Sequence, residues 1–419
     1  MDRSETDGVA LPSPGRADAV MIRLAETTVA LARLRADPVR FSRQFEQART
    51  IIGYGQCLCR TPALRLVIRR TRTGRFHLAT WPGSGAQHAE TCDFYKPLDE
   101  QWTGRGAYTA GAMVEDGEGT RIRLQAALQV RQEPGGGLDV PSEQAAGAGQ
   151  RGVGLLGLLH WLWEQGALNS WHRGAVRTWA HCHGRLTQAA RSCLANGQPL
   201  AQALYVMPPW RREEAAALAR GFELFRERLS ERDGSRYRGL VLAEVAAIAP
   251  SRFGHRIQLR HQRLPLYCSA ALMDRLQRSY RAVFGRARPV TSRQVGLFLV
   301  EKTPAGNLVL MDAALMLVNR AYLPADSSYE VEMADALLDA RRSVVKPLRF
   351  DASRDLVLPD FVLVDTDPAT VVEVYGLVGN AAYQVRRAAK EAHYRTTGTP
   401  LITWDVTASM PQVGELSRR

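Results

Sequence analysis

Two carboxylates, Asp360 and Glu373, interrupt segments built otherwise of Val, Leu and Phe. The segments are Leu356-Val357-Leu358-Pro359-Asp360-Phe361-Val362-Leu363-Val364 and Val371-Val372-Glu373-Val374-Tyr375-Gly376. Runs of this composition read as strands. A charge inside one is costly unless it is paired or holds a metal. Asp365-Thr366-Asp367-Pro368 reads as the turn between them. With Thr366 and Asp367 at the centre of that turn, Asp360 falls opposite Glu373. Facing residues on paired strands lie about 5 Å apart between Cβ atoms. A slip of one residue would turn one carboxylate to the other face. Two carboxylates so placed can share a divalent cation.

The flanking residues extend this hairpin into a domain. Asp326-Ser327-Ser328 can cap a helix from Tyr329 to Arg341, which carries Glu330, Glu332 and Asp335. Val344 to Leu348 reads as a short strand before the hairpin. A helix from about Asn380 to Thr396 and a strand Leu401–Trp404 follow it. The order is αβββαβ. On the second helix Tyr383, Arg387, Lys390 and Tyr394 are spaced to share one face.

Pro359-Asp360, followed after a gap by Glu373-Val374, resembles the PD-(D/E)XK nuclease superfamily, whose core is αβββαβ. Tyr375 stands where that motif has lysine. Some branches carry the lysine on the following helix instead, and Lys390 matches that placement. Glu330 matches an extra acid of the first helix, with Glu332 its nearby competitor. The resemblance implies a restriction-endonuclease-like domain over 326–408. In it Asp360 and Glu373 hold Mg²⁺, Lys390 and Glu330 complete the catalytic set, and DNA is the substrate. It equally admits a non-catalytic nucleic-acid-binding or scaffolding protein with a degenerate nuclease fold. Taken whole, the chain also resembles an uncharacterised bacterial family carried on plasmids and integrative conjugative elements. That likeness rests on the C-x-C…H-x3-C front, the Leu-Trp-rich middle and the Pro-Asp-Phe…Glu-Val-Tyr-Gly end. It implies a part in mobile-element maintenance or transfer.

A second constellation lies near the front. Cys57-Leu58-Cys59 precedes His88-Ala89-Glu90-Thr91-Cys92 by 28 residues. Three thiolates and one imidazole are a common structural zinc set. A pair one residue apart can ligate from a turn, and a pair at i and i+4 from one helical turn. Cys57, Cys59, His88 and Cys92 are therefore the candidate zinc ligands, with His77 as the rival fourth. Four protein ligands leave no open position, so the role would be structural. His181-Cys182-His183 is a poor metal site, since adjacent helical residues point about 100° apart.

The full 419 residues exceed one ordinary core, and the expectation is an α+β multidomain chain. Residues 1–20 read as a disordered tail and 21–132 as a β-rich zinc-binding module that begins with a helix over Met21–Thr50. The Gly-, Pro- and Gln-rich stretch 133–152 reads as a linker. Residues 153–235 read as helical, with Trp161, Trp163, Trp171 and Trp179 as core rather than a base-stacking platform. Residues 236–325 read as β-rich, and 409–419 as a tail. Net charge is +13. From Asp326 onward there are 11 basic and 14 acidic residues, about −3, which leaves 44 and 28, about +16, in the rest. An acidic unit beside a basic body fits a metal site next to a polyanion-binding surface. The six cysteines form no disulfide framework, and a reducing cytoplasm is the implied compartment. No run of about 18 apolar residues suggests a membrane span.

Overall fold

A computed structural model describes residues 20–70, 76–81, 84, 87–89, 92–94, 112–116, 119–131, 152–232, 234–349, 357–376 and 381–414. The expected linker apart from Gly152, most of the N-terminal tail and the last five residues lie outside that set. The chain forms two compact units, Met1–Gly106 and Ala107–Arg419.

In the first unit, β1 (Met21–Leu24) and β2 (Thr27–Ala30) form a hairpin, then β3 (Gly55–Cys57), β4 (Leu64–Arg70) and β5 (Phe76–Thr80) complete an antiparallel sheet. The order is β2-β1-β3-β4-β5. The expected helix over Met21–Thr50 is thus a hairpin followed by the short helices Leu31–Ala36 and Ser42–Gln47. The reason is visible in the residues. Ile22 and Leu24 are buried while Met21 and Arg23 are exposed, a period of two. Thr27, Thr28 and Val29 are β-branched, and Ala25 turns the chain at a φ of 52°. Ile22, Leu24, Phe45, Cys57 and Leu66 pack the core beneath the sheet.

The second unit opens with β6 (Met113–Asp116), β7 (Gly119–Ile122) and β8 (Gln129–Arg131). The helix Leu155–Gln165, β9 (Ser170–Trp171) and the helix Trp179–Arg191 follow. After them come β10 (Cys193–Ala195), β11 (Gln198–Pro199), β12 (Leu204–Val206) and the helix Ala215–Arg228. Trp161 and Trp163 are fully buried and Trp179 nearly so. Trp163 Nε1 donates to Tyr322 O at 3.1 Å and Trp179 Nε1 to Met207 O at 2.7 Å. All three are core; the indoles of Trp163 and Trp179 are satisfied, while the Trp161 Nε1 has no partner among the described residues. Cys182 is also buried, and no metal cluster among the described residues includes the 181–183 triplet.

β13 (Ser235–Tyr237) leads into β14 (Gly239–Ser251), β15 (Gly254–Leu259), β16 (Leu266–Cys268), β17 (Arg293–Lys302), β18 (Leu308–Val318) and β19 (Pro324–Ala325). β14, β15, β16, β18 and β17 pair in a closed circuit, so this sheet has no free edge among those five. Between β16 and β17 lie two helical pieces, Ala270–Ser279 and Arg281–Phe284, separated at Tyr280.

The last segment has the expected element order. It runs helix Ser328–Asp339, β20 (Val344–Val345), β21 (Phe361–Leu363), β22 (Thr370–Tyr375), helix Ala381–Thr396 and β23 (Leu401–Asp405). The sheet order is β23-β22-β21-β20-β9, with β22 and β23 parallel and the other pairs antiparallel. β9 comes from the Trp-rich region, so this sheet draws a strand from outside residues 326–408. The C-terminal stretch read as a tail is partly packed: Val413 is buried beside Trp404, and Arg342 donates to Val413 O and Gly414 O at 3.1 Å.

Candidate functional site

The front cluster converges. Cys57 ends β3 and Cys59 follows it two residues later. His88 and Cys92 come from the loop beyond β5. Cys57 Sγ lies 3.5 Å from Cys92 Sγ, and His88 Nδ1 lies 3.3 Å from Cys59 Sγ and 3.6 Å from Cys92 Sγ. All four ligand atoms fall within 4.8 Å of one another. A tetrahedron drawn at zinc–sulfur and zinc–nitrogen bond lengths has edges of about 3.6 Å. Cys57, His88 and Cys92 are buried, and no cysteine is in a disulfide. Burial pushes the Cys57 and Cys92 thiols up and the His88 imidazole down. The cluster therefore has the composition and spacing to hold a metal ion such as zinc. His77, the rival, sits exposed on β5.

The C-terminal constellation is built on β22. Glu373 is 1% exposed there. Both of its oxygens accept from Lys390 Nζ, at 2.8 and 2.7 Å, and Oε1 also accepts from Tyr394 Oη at 2.7 Å. Lys390 additionally donates to Leu358 O at 2.8 Å. Asp360 sits in the bend just before β21. The β21–β22 register pairs Phe361 with Val372, and one further step sets Asp360 opposite Glu373. Asp360 Oδ2 accepts from Val374 N at 2.8 Å. Burial, then the charge of Asp360, push the Glu373 carboxyl up to about 7, against the pull of Lys390 and Tyr394.

Of the two candidate acids on the preceding helix, Glu330 is buried and Glu332 exposed. Glu330 holds the helix start: Ser327 Oγ accepts from Glu330 N at 3.1 Å, and Glu330 Oε2 accepts from Asp326 N at 3.0 Å. Its other partner was not anticipated. Lys346, just past β20 and 1% exposed, donates to Glu330 Oε2 at 2.7 Å and lies 2.9 Å from Asp326 Oδ2 and 4.0 Å from Asp360 Oδ1. Lys346 was legible by the logic applied to Asp360 and Glu373: it is a charge among Val344, Val345 and Leu348.

The predicted helix face also reaches the sheet. Tyr383 Oη accepts from Gly376 N at 3.1 Å. Arg387 pairs with Glu391 and Asp405 and lies over the Tyr375 ring at 4.2 Å. Tyr375 fills the place of the motif lysine with a buried hydroxyl that has no partner among the described residues. Asp360, Glu373 and Glu330 do not draw three ligand oxygens into one cluster; among the described residues the group that could hold a metal ion is Cys57, Cys59, His88 and Cys92.

A family model described as "Protein of unknown function (DUF1173)" matches residues 29–407. The chain belongs to the DUF1173 family. Its match spans the cysteine–histidine cluster and the αβββαβ segment alike, so both are parts of a DUF1173 protein. No curated protein and no solved structure matches the chain. Among the described residues no helix is long and apolar enough to cross a membrane.

Proposed function

We propose that the αβββαβ segment is a divalent-metal-dependent nuclease domain acting on DNA, and that the front cluster holds a structural zinc. One observation carries the nuclease reading. A lysine on the helix after β22 reaches back to a buried strand acid, with a second acid one hairpin step away. That is the arrangement a migrated motif lysine would need.

The donor set suits a hard cation. With every group ionised, Asp326, Glu330, Asp360 and Glu373 set four negative charges against Lys346 and Lys390. The deficit of two charges is what one divalent ion supplies. Asp360 and Glu373 would hold Mg²⁺, whose chemistry is to polarise a phosphate and acidify a water. Lys390, 18% exposed at its side chain, orients Glu373 and sets a positive charge beside an incoming phosphodiester. Tyr394 Oη fixes the second edge of the same carboxylate. The partner is consistent with the charge pattern: ten arginines and one acid, Asp274, occupy residues 251–293.

A second reading has specific support. Both Glu373 oxygens are already engaged, and Tyr375 replaces the strand lysine, as in a nuclease fold kept for binding alone. The deciding experiment is cleavage of single- and double-stranded DNA with Mg²⁺ or Mn²⁺. Cutting by wild type, lost in Asp360→Ala and Glu373→Ala, supports the nuclease. DNA binding without cutting supports the second reading. Either function would serve the maintenance or transfer of a mobile element.

A further inference from the structure

The sheet of the first unit has one face in the core and one in solvent. Ile22, Leu24, Cys57 and Leu66 point inward. On the other face one cross-strand row runs Thr28, Arg23, Gln56, Arg65. Arg23 and Arg65 are exposed and stand two strand spacings apart, about 10 Å. At the end of this row the Arg65 guanidinium lies 4.7 Å over the Tyr54 ring and 5.8 Å from the Trp81 ring. The two rings meet edge to face at 6.1 Å. Both rings are half-buried, and no carboxylate among the described residues pairs with Arg65.

This arrangement is more than a solvated arginine. The rings lie against the guanidinium while the side chain stays exposed, so its donors remain available to a ligand beside an aromatic surface. Unpaired bases stack on aromatic rings and on guanidinium planes, whereas a duplex keeps its base faces covered. The charge is complementary to a phosphate backbone: residues 20–70 contain ten arginines against Glu26, Asp37 and Glu46. Tyr54 lies three residues before Cys57, and Trp81 lies seven before His88, so both rings are close in the chain to the cysteine–histidine cluster.

We propose that this solvated sheet face binds single-stranded DNA. Tyr54, Trp81 and Arg65 stack a base, and Arg23 and Arg65 meet phosphates. The choice of DNA over RNA rests on the reading of the C-terminal segment as a DNA nuclease.

The test is fluorescence anisotropy of a labelled oligo(dT) titrated with the full chain, without added Mg²⁺ so that no cutting intervenes. Oligo(U) and a duplex of equal length are run in parallel. Oligo(dT) should bind tighter than the duplex. Trp81→Ala and Arg65→Ala should each weaken it by about 5- to 100-fold. Arg65→Ala should also lower the salt slope by about 0.7. Trp81→Phe, which keeps a ring, should bind near wild type. Alanine variants that bind as wild type overturn the proposal. So does Trp81→Phe losing as much as Trp81→Ala, or oligo(U) binding in place of oligo(dT). Arg65 is exposed, so its variant should fold whatever Trp81→Ala does. Tight oligo(dT) binding through Trp81 by a chain that cuts nothing would refute the nuclease and support this surface.

Discussion

Lys346 Nζ sits 2.7 Å from Glu330 Oε2, with the two side chains 2% and 8% exposed. This pair joins the start of the helix Ser328–Asp339 to the end of β20. Removing one partner of a buried ion pair strands the other charge, at a cost of about 3–5 kcal/mol. Lys346→Met should therefore lower unfolding stability by about that amount. Adding Glu330→Gln should recover part of it, because contacting residues are not additive. Urea midpoints of the two single variants and the double variant test this. A Lys346→Met protein as stable as wild type would show that the pair is not formed.

Lys390 and Arg387 sit one helical turn apart and should respond differently. Of these two, Lys390 contacts Glu373, while Arg387 bonds Glu391 and Asp405 nearer the surface. Under the proposed nuclease reading, Lys390→Ala should reduce metal-dependent cleavage about 100-fold or more, the scale seen when one charge-stabilising donor is lost. Arg387→Ala should change the rate by less than about tenfold. Gel cleavage rates compare the two directly, and equal losses would sink the assignment of Lys390.

The front cluster makes a prediction about metal content. The purified chain should carry about one zinc per molecule. His88→Ala and Cys92→Ala should lose it, and His77→Ala should keep it. Metal analysis of the three proteins is sufficient. Loss of zinc from the His77 variant alone would move the fourth ligand to β5 and contradict the observed convergence on His88 Nδ1.

What the sequence disclosed follows from how local each signal is. The β21–β22 register was legible because a short turn and a charge in each strand fix it. Glu330 and Glu332 could not be separated by spacing alone. The pairing that separates them is Lys346, sixteen residues away, and partners at that range leave no periodic trace. The fifth strand of the C-terminal sheet, Ser170–Trp171, was illegible because it is two residues long and comes from about 170 residues earlier than β20. At the front, a hydrophobic pattern over Met21–Ala30 was read with the helical period although the buried residues alternate. The four residues Cys57, Cys59, His88 and Cys92 were legible as one possible metal-holding group because residue type, not geometry, carried it, and their ligand atoms do converge.

Asp365 gives a pH prediction whose sign is fixed by its partner. Arg342, 2% exposed, donates Nε to Asp365 Oδ2 at 2.9 Å and NH2 to Oδ1 at 2.8 Å. Ser343 N adds a bond at 2.9 Å. The Arg342 hydrogen bond is the main cause holding this carboxyl below its ordinary value. An acid depressed on folding adds stability above its unfolded value, about 3.9, and loses it as pH falls through the folded value. Asp365→Asn should thus cost about 2–3 kcal/mol at pH 7, the scale of a charge-assisted bidentate pair. The gap between wild type and variant should stay level from pH 8 to about pH 5. Below about pH 4 it should begin to close as the unfolded aspartate takes up its proton first, and it should vanish once pH falls through the lower folded value, Arg342 remaining charged in both proteins. Urea unfolding of both proteins across that range measures the gap. A gap that widens on acidification would mean that the carboxyl is raised on folding, and that burial outweighs Arg342 at this site.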